Sequence, residues 1–198
     1  MGVVVPKKGF LEGLRALCDQ YGALLILDEV ITGFRLQIDG AIGHFGVVPD
    51  LVTYGKIIGG GMPVGAYGGR KDIMQMVSPL GSVYQAGTLS GNPVAMRAGL
   101  TQLRYLKAHP EVYRQIGFLS HRLRSGLEEI LARHHVPAVV NGIGSLSCLY
   151  FTAQPVTDYT SAKTADTERF RRYFHFMLDE GNYFGPSQFE AIFVSNAH

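Results

Sequence analysis

Apolar positions in the first third of the chain follow two periods. Phe10, Leu11, Leu14, Leu17 and Tyr21 recur at helical spacing, and Gly22 offers a stop. Residues 23–27 are then apolar without alternation, the pattern of a strand buried on both faces of a parallel sheet, and Asp28 and Glu29 end the run. A glycine-rich loop over residues 33–49 leads to a second short strand, residues 51–54, which stops at Gly55 and Lys56. Six of the eleven residues from 59 to 69 are glycine, which points to unusual dihedrals or close backbone approach. Residues 72–77 read as a short helix. Asn92 and Pro93 are a good helix start, with Met96, Leu100, Leu103 and Leu106 on one face and His109 and Pro110 at the end. A second long helix carries Val112, Ile116, Leu119, Leu123, Leu127 and Ile130. After Pro137, residues 138–140, 146–151 and 191–194 read as strands. Phe170, Phe174 and Met177 mark a helix that Gly181 closes.

A helix, a buried strand and a terminal acid in succession form an α/β signature. The strands and helix after the two long helices suggest a separate α+β domain. Both ends read as cut. Residue 1 enters a loop just before a helix, residue 198 follows a bare strand, and a parallel sheet of two obvious strands is too small to stand alone.

Composition narrows the function classes. With 198 residues, 46% of them hydrophobic, the chain has material for one good-sized domain, or for one domain plus part of another. Lys and Arg total 18 against 16 Asp and Glu, and the basic residues form no stripe, which argues against nucleic acid. The pair Arg171 and Arg172 reads as a solvated helix face. Cys18 and Cys148 lack metal-ligand spacing and read as buried free thiols; the seven histidines have no evident partners, and no metal is expected. No signal segment is visible and no apolar stretch approaches the ~20 residues of a membrane span, so a cytoplasmic location is expected, without a membrane partner.

The informative residues are Asp28 and Lys56. Each lies just past the carboxyl end of an expected buried strand, the edge where open α/β sheets bind ligands. A carboxylate and an amine converging there suit pyridoxal 5′-phosphate (PLP) chemistry. The amine condenses with the cofactor aldehyde, and the carboxylate keeps the pyridine nitrogen protonated. Residues 24–29 also mimic the acidic Walker B strand of an NTPase. That reading needs a phosphate loop ending in Gly-Lys-Ser/Thr, whereas Ile57 follows the sole Gly-Lys pair and Asp50 stands where the loop's first Gly belongs.

Several long strings carry a resemblance. Residues 26–35, ILDEVITGFR, resemble the aspartate motif of the class III PLP-dependent aminotransferases, and residues 49–56, PDLVTYGK, resemble their lysine motif. Residues 59–70, GGGMPVGAYGGR, residues 84–93, YQAGTLSGNP, and residues 186–190, PSQFE, are similar to an aminomutase branch of that family. Ile31 stands where many aminotransferases of the family carry Gln and the aminomutase branch usually has Met. Arg35 directly after Phe34 also differs from the Gly-Arg of many aminotransferases.

The resemblance covers essentially the whole chain. It implies fold type I: residues 1–108 as the later part of the PLP-binding large domain, and residues 109–198 as most of a C-terminal α+β small domain. The N-terminal half and the extreme C-terminus are missing from the family pattern. By the resemblance, Lys56 is the cofactor lysine and proton shuttle, Asp28 pairs with the pyridinium, and Val30 packs on the ring face. Thr88 reaches the cofactor phosphate of the other subunit of a homodimer, and Glu190 lies on the substrate side. The implied reaction is an intramolecular amino transfer that converts (S)-4-amino-5-oxopentanoate to 5-aminolevulinate, a tetrapyrrole precursor. An aminotransferase acting on another amine, or a truncated chain without catalysis, are the alternatives. The family's phosphate loop, ring-stacking aromatic and substrate-carboxylate contacts have no counterpart here, so these residues alone are expected to bind PLP poorly.

Overall fold

In the computed structural model, which describes residues 1–198, the chain divides into two compact units. One is Lys8–Glu111; the other joins Met1–Lys7 to Val112–His198.

The first unit contains α1 (Phe10–Tyr21), β1 (Ile26–Asp28), α2 (Gly40–Phe45), β2 (Leu51–Tyr54), β3 (Ala66–Gly69), α3 (Lys71–Met74) and α4 (Pro93–Ala108). A 3-10 turn, Lys56–Gly59, follows β2. α1 stops where expected: Gly22 takes the left-handed conformation at φ 65° and its N–H donates to the Cys18 carbonyl. α4 starts where expected, because Asn92 Oδ1 accepts the amides of Val94 and Ala95 at 3.1 Å each. β1 pairs parallel with β2 in the register Ile26 to Leu51 and Asp28 to Thr53, and β3 adds antiparallel to β2.

β1 departs from its expected burial. Leu25 is 8% exposed, but its neighbours Leu24 and Ile26 are 51% and 56% exposed. Successive strand residues point to opposite faces, so the chain itself covers only one face of β1. Asp28 shares the open face with Leu24 and Ile26.

The opposite end of the sheet is tied by charge. The Asp50 carboxylate, nearly buried, accepts from Arg15 Nη1 at 2.7 Å, the Leu25 amide at 2.8 Å and Arg70 Nη1 at 2.9 Å. These donors, Arg70 foremost and then the Leu25 amide and Arg15, hold its carboxyl well below the usual carboxylate range. A depressed folded-state pKa stabilises the fold fully above the unfolded value of about 4, and that contribution is lost as pH falls toward the folded value. Asp50→Asn is therefore expected to lower the melting temperature at neutral pH, and the gap to the parent is expected to close below about pH 4. Melting curves against pH check this; a gap that persists into acid would refute the assignment.

The second unit opens with α5 (Glu111–Arg133) and continues through β4 (Val139–Ile143), β5 (Leu146–Tyr150), α6 (Tyr159–Ala162), α7 (Thr167–Asp179) and β6 (Ile192–Phe193). β4, β5 and β6 form an antiparallel sheet with β5 central and wholly buried. Leu149, Phe151 and Phe170 anchor its core against α5 and α7. Arg124 of α5 ties down the β4–β5 turn, donating from Nη1 to Ser120 Oγ at 2.8 Å, the Gly144 carbonyl at 3.1 Å and Ser147 Oγ at 3.2 Å.

Met1–Lys7 group with this second unit. The Tyr150 hydroxyl donates to the Met1 carbonyl at 2.7 Å, Asn141 Nδ2 donates to the Val3 carbonyl at 3.0 Å, and the Gly2 amide donates to the Phe189 carbonyl at 2.7 Å. Of the two thiols expected to be buried, Cys148 is buried and Cys18 is only partly so. No helix is long and apolar enough to cross a membrane.

Candidate active site

The parallel pairing of β1 with β2 brings the two expected residues to one edge. Asp28 is the last residue of β1 and pairs with Thr53; Lys56 lies two residues beyond the end of β2. Paired strands run ~4.8 Å apart, so both side chains leave the same carboxyl edge from adjacent strands. Both are exposed.

Asp28 is oriented by its own loop. Its Oδ1 accepts the Val30 amide at 2.9 Å, a local turn that leaves Oδ2 for another donor. Val30 then folds back on β2: a Cβ built on Gly55 would lie 3.3 Å from Val30 Cγ1. Val30 thus packs against the residue before Lys56, and Gly55 is small where that contact falls.

Lys56 has a left-handed backbone, φ 50°. For a residue with a Cβ this costs ~1 kcal/mol or more, and the surroundings impose it. The 3-10 turn that Lys56 starts is closed by Gly60 at φ 57°, and α4 lies directly behind it. A Cβ on Gly99 of α4 would fall 2.1 Å from the Ile58 carbonyl oxygen, and one on Gly60 would fall 2.7 Å from that of Ala98. The glycines at 60 and 99 therefore allow a helix to press against the turn that aims Lys56.

Sequence reasoning missed Glu29, treating it only as the end of a strand. It is 1% exposed, and its carboxylate accepts Thr32 Oγ1 at 2.5 Å, the Ala41 amide at 2.9 Å and the Ile42 amide at 2.8 Å. Tyr54 was also missed. Its ring lies against Gly33 and 5.6 Å from that of Phe34, and burial, with the Glu29 and Asp39 carboxylates adding to it, pushes its phenol up.

The remaining expected residues stand differently. Thr88 belongs to the same unit and sits exposed in a turn just before α4. Glu190 belongs to the other unit, in the segment before β6. That segment is held to β5 by Gln188 Nε2, which donates to the Leu149 carbonyl at 2.6 Å, and by the Cys148 thiol against the Glu190 carbonyl at 3.4 Å. The structure thus assembles Asp28, Val30 and Lys56 into one group. No cluster of metal-ligating side chains exists anywhere in the chain.

The model of the aminotransferase class-III family matches residues 1–194. The chain belongs to this family. A glutamate-1-semialdehyde 2,1-aminomutase 2 from Lachnoclostridium phytofermentans is 61% identical over 198 residues, which are all of this chain and 46% of that protein. The chain therefore spans less than half the length of this curated relative. Among solved structures, an omega-transaminase from Sphaerobacter thermophilus superposes with TM-score 0.87 at 35% identity, over 98% of this chain and 44% of that one. A glutamate-1-semialdehyde aminomutase from Pseudomonas aeruginosa in complex with PMP superposes with TM-score 0.84 at 26% identity, over 100% of this chain and 45% of that one. The fold is accordingly part of the fold type I architecture expected from the motifs.

Proposed function

We propose that this chain supplies the lysine-bearing part of a PLP-dependent aminomutase that converts (S)-4-amino-5-oxopentanoate to 5-aminolevulinate. The observation that carries the reading is the grouping of Lys56, Asp28 and Val30 at the carboxyl edge of two parallel strands, in a chain 61% identical to an aminomutase. The donor set suits the cofactor: an exposed amine for an aldehyde, a carboxylate with a spare oxygen for a ring N–H, and a Val30 methyl group packed against Gly55. When bound, PLP supplies an electrophilic carbon for amines and a ring that takes up the electrons of a carbanion.

The chain's own groups do the rest. Lys56 would hold the cofactor when it is in its aldehyde form and, when free, would carry a proton between two carbons at each half of the amino transfer. Asp28 keeps the ring nitrogen charged. Val30 packs on the ring face. Thr88 serves the cofactor phosphate of the partner subunit in a homodimer, by its hydroxyl and backbone N–H, and Glu190 lies toward the substrate. The location we assign is the cytoplasm.

The 35% identity to an omega-transaminase favours a second reading, amino transfer between two different molecules. A full-length chain of family size carrying these residues separates the two. The aminomutase is expected to form 5-aminolevulinate from (S)-4-amino-5-oxopentanoate with no added amino acceptor. Turnover only when an acceptor is added would favour the transaminase, and no turnover under either condition would reject both. The 198 residues alone are expected to bind PLP poorly. Full borohydride-fixed occupancy at stoichiometric PLP would contradict that.

A further inference from the structure

We infer that Glu29 is a positioning residue for the Asp28, Val30 and Lys56 group: its buried carboxylate closes the loop of residues 30–39 at the neck and so holds Val30 against Gly55. The name of the ligand rests on the function proposed above; the clamp itself rests on geometry alone.

Glu29 sits between the two residues it serves. Its backbone amide donates to the Thr53 carbonyl at 2.9 Å, which extends the β1–β2 ladder by one rung past Asp28. Its backbone carbonyl accepts the Gly33 amide at 2.8 Å, which turns the loop back at once. Its side chain reaches twelve and thirteen residues onward to the Ala41 and Ile42 amides. These are first-turn amides of α2, where unsatisfied N–H groups favour a negative charge. The Thr32 hydroxyl fills a further site on the same carboxylate. One residue thus binds the sheet, the start of the loop and its far end.

The chain packs closely around this side chain. Gly40 has φ 61°, and a Cβ there would fall 2.6 Å from Glu29 Oε2. Gly33 is pressed against the Glu29 carbonyl and the Tyr54 ring, each within 2.7 Å of a built Cβ. Aspartate is one carbon shorter and withdraws from all three donors. Glutamine turns an NH2 group toward a backbone N–H, since both oxygens of Glu29 already accept amides. The donors to its carboxylate are the Thr32 hydroxyl and the Ala41 and Ile42 amides. A buried charge of this kind adds little to stability compared with an apolar side chain of similar size. Its value lies in fixing where the loop begins and ends, and Val30 is the first residue of that loop.

The test uses the whole 198-residue chain with Glu29→Gln and, should that variant fold poorly, Thr32→Val, which removes one donor while keeping the shape. Three readouts are taken on variants whose circular dichroism matches the parent. These are hydrogen exchange at the Ala41 and Ile42 amides, the nuclear Overhauser contact between the Val30 methyls and Gly55, and the PLP concentration that half-saturates borohydride-fixed label on Lys56. With Glu29→Gln, exchange at the two amides is expected to quicken about tenfold, the Val30 contact to weaken, and half-saturation to need about tenfold more PLP. Thr32→Val shifts all three the same way by less, and Glu29→Asp gives no rescue. Unchanged amide exchange, or a retained Val30 contact, overturns the inference. So does a lost contact with unchanged PLP demand, because the clamp would then be merely structural. If the unsubstituted chain fixes no label on Lys56 at any PLP concentration, the label is read on a full-length chain of family size; no label there is a failure of the proposed function, and the clamp stands or falls on the first two readouts.

Discussion

Lys56→Ala in a full-length chain of family size is expected to leave no cofactor fixable by borohydride at this position and to cut turnover at least ~10²–10⁴-fold, the range a positioned acid–base group contributes. The loss combines two roles. A side chain without an amine cannot hold the aldehyde, and the other lysines of the same unit lie elsewhere: Lys8 precedes α1, Lys71 begins α3 beyond β3, and Lys107 is in the last turn of α4. Nothing then returns a proton to the second carbon of the substrate. The left-handed backbone at residue 56 provides a control. Lys56→Gly removes the side chain and also relieves the φ strain, so it should be the more stable of the two variants. If the defect were one of folding, the glycine variant would recover activity relative to alanine. Equal inactivity in both, with the glycine variant melting higher, assigns the loss to the amine. Small amines added to Lys56→Ala should restore part of the rate through the proton-transfer role. Lys56→Arg should remain inactive, because a guanidinium does not lose its proton near neutral pH. Retention of activity within tenfold in Lys56→Ala would remove Lys56 from the mechanism.

The legibility of this site in the sequence follows the range of the forces involved. Asp28 and Lys56 stood out because both follow an abrupt end to an apolar run, and strand ends of a parallel sheet collect on one edge whatever the details of the loops. α2 was hidden because its sequence, Gly40-Ala-Ile-Gly-His-Phe45, opens on a glycine and repeats one, giving it poor helix propensity. Its first-turn amides are met by a carboxylate twelve and thirteen residues earlier, a pairing no local pattern reveals. β3, Ala66-Tyr-Gly-Gly69, likewise lacks an alternating pattern; Gly69 is required because a Cβ there would fall 2.1 Å from the Asp50 carbonyl oxygen. The glycine crowd at 59–69 was read as unusual dihedrals or close backbone approach; Gly60 and Gly61 have positive φ, and the partner that approaches Gly60, α4, begins more than thirty residues later. The grouping of residues 1–7 with the second unit is hidden for the same reason. Tyr150 and Asn141 bind them across more than 130 residues of sequence. The uniform apolar run at 23–27 implied cover on both faces of β1, and the chain contributes one.

The second large effect expected is that of Asp28→Asn. Asparagine keeps a carbonyl oxygen for the Val30 amide, so the local turn and the Val30 packing on Gly55 should survive. What disappears is the negative charge. An opposite charge within ~4–6 Å raises the pKa of a cationic partner by about 1–3 units, and each unit corresponds to about 1.4 kcal/mol. Removing it should therefore lower kcat/KM by about 10- to 1000-fold in the full-length chain. The pH dependence carries the sign. Without Asp28 the ring nitrogen gives up its proton at lower pH, so the ratio of parent to variant activity should grow as pH rises. It should shrink as pH falls toward the variant's own ring pKa, where solvent protonates the nitrogen unaided. Any change in the ionisation of Lys56 common to both proteins cancels in that ratio. Asp28→Glu should recover part of the rate at high pH, since it restores charge but shifts the carboxylate by one carbon, whereas Asp28→Ala should lose both the charge and the turn to Val30. A ratio that does not vary with pH would mean that Asp28 acts through the turn alone.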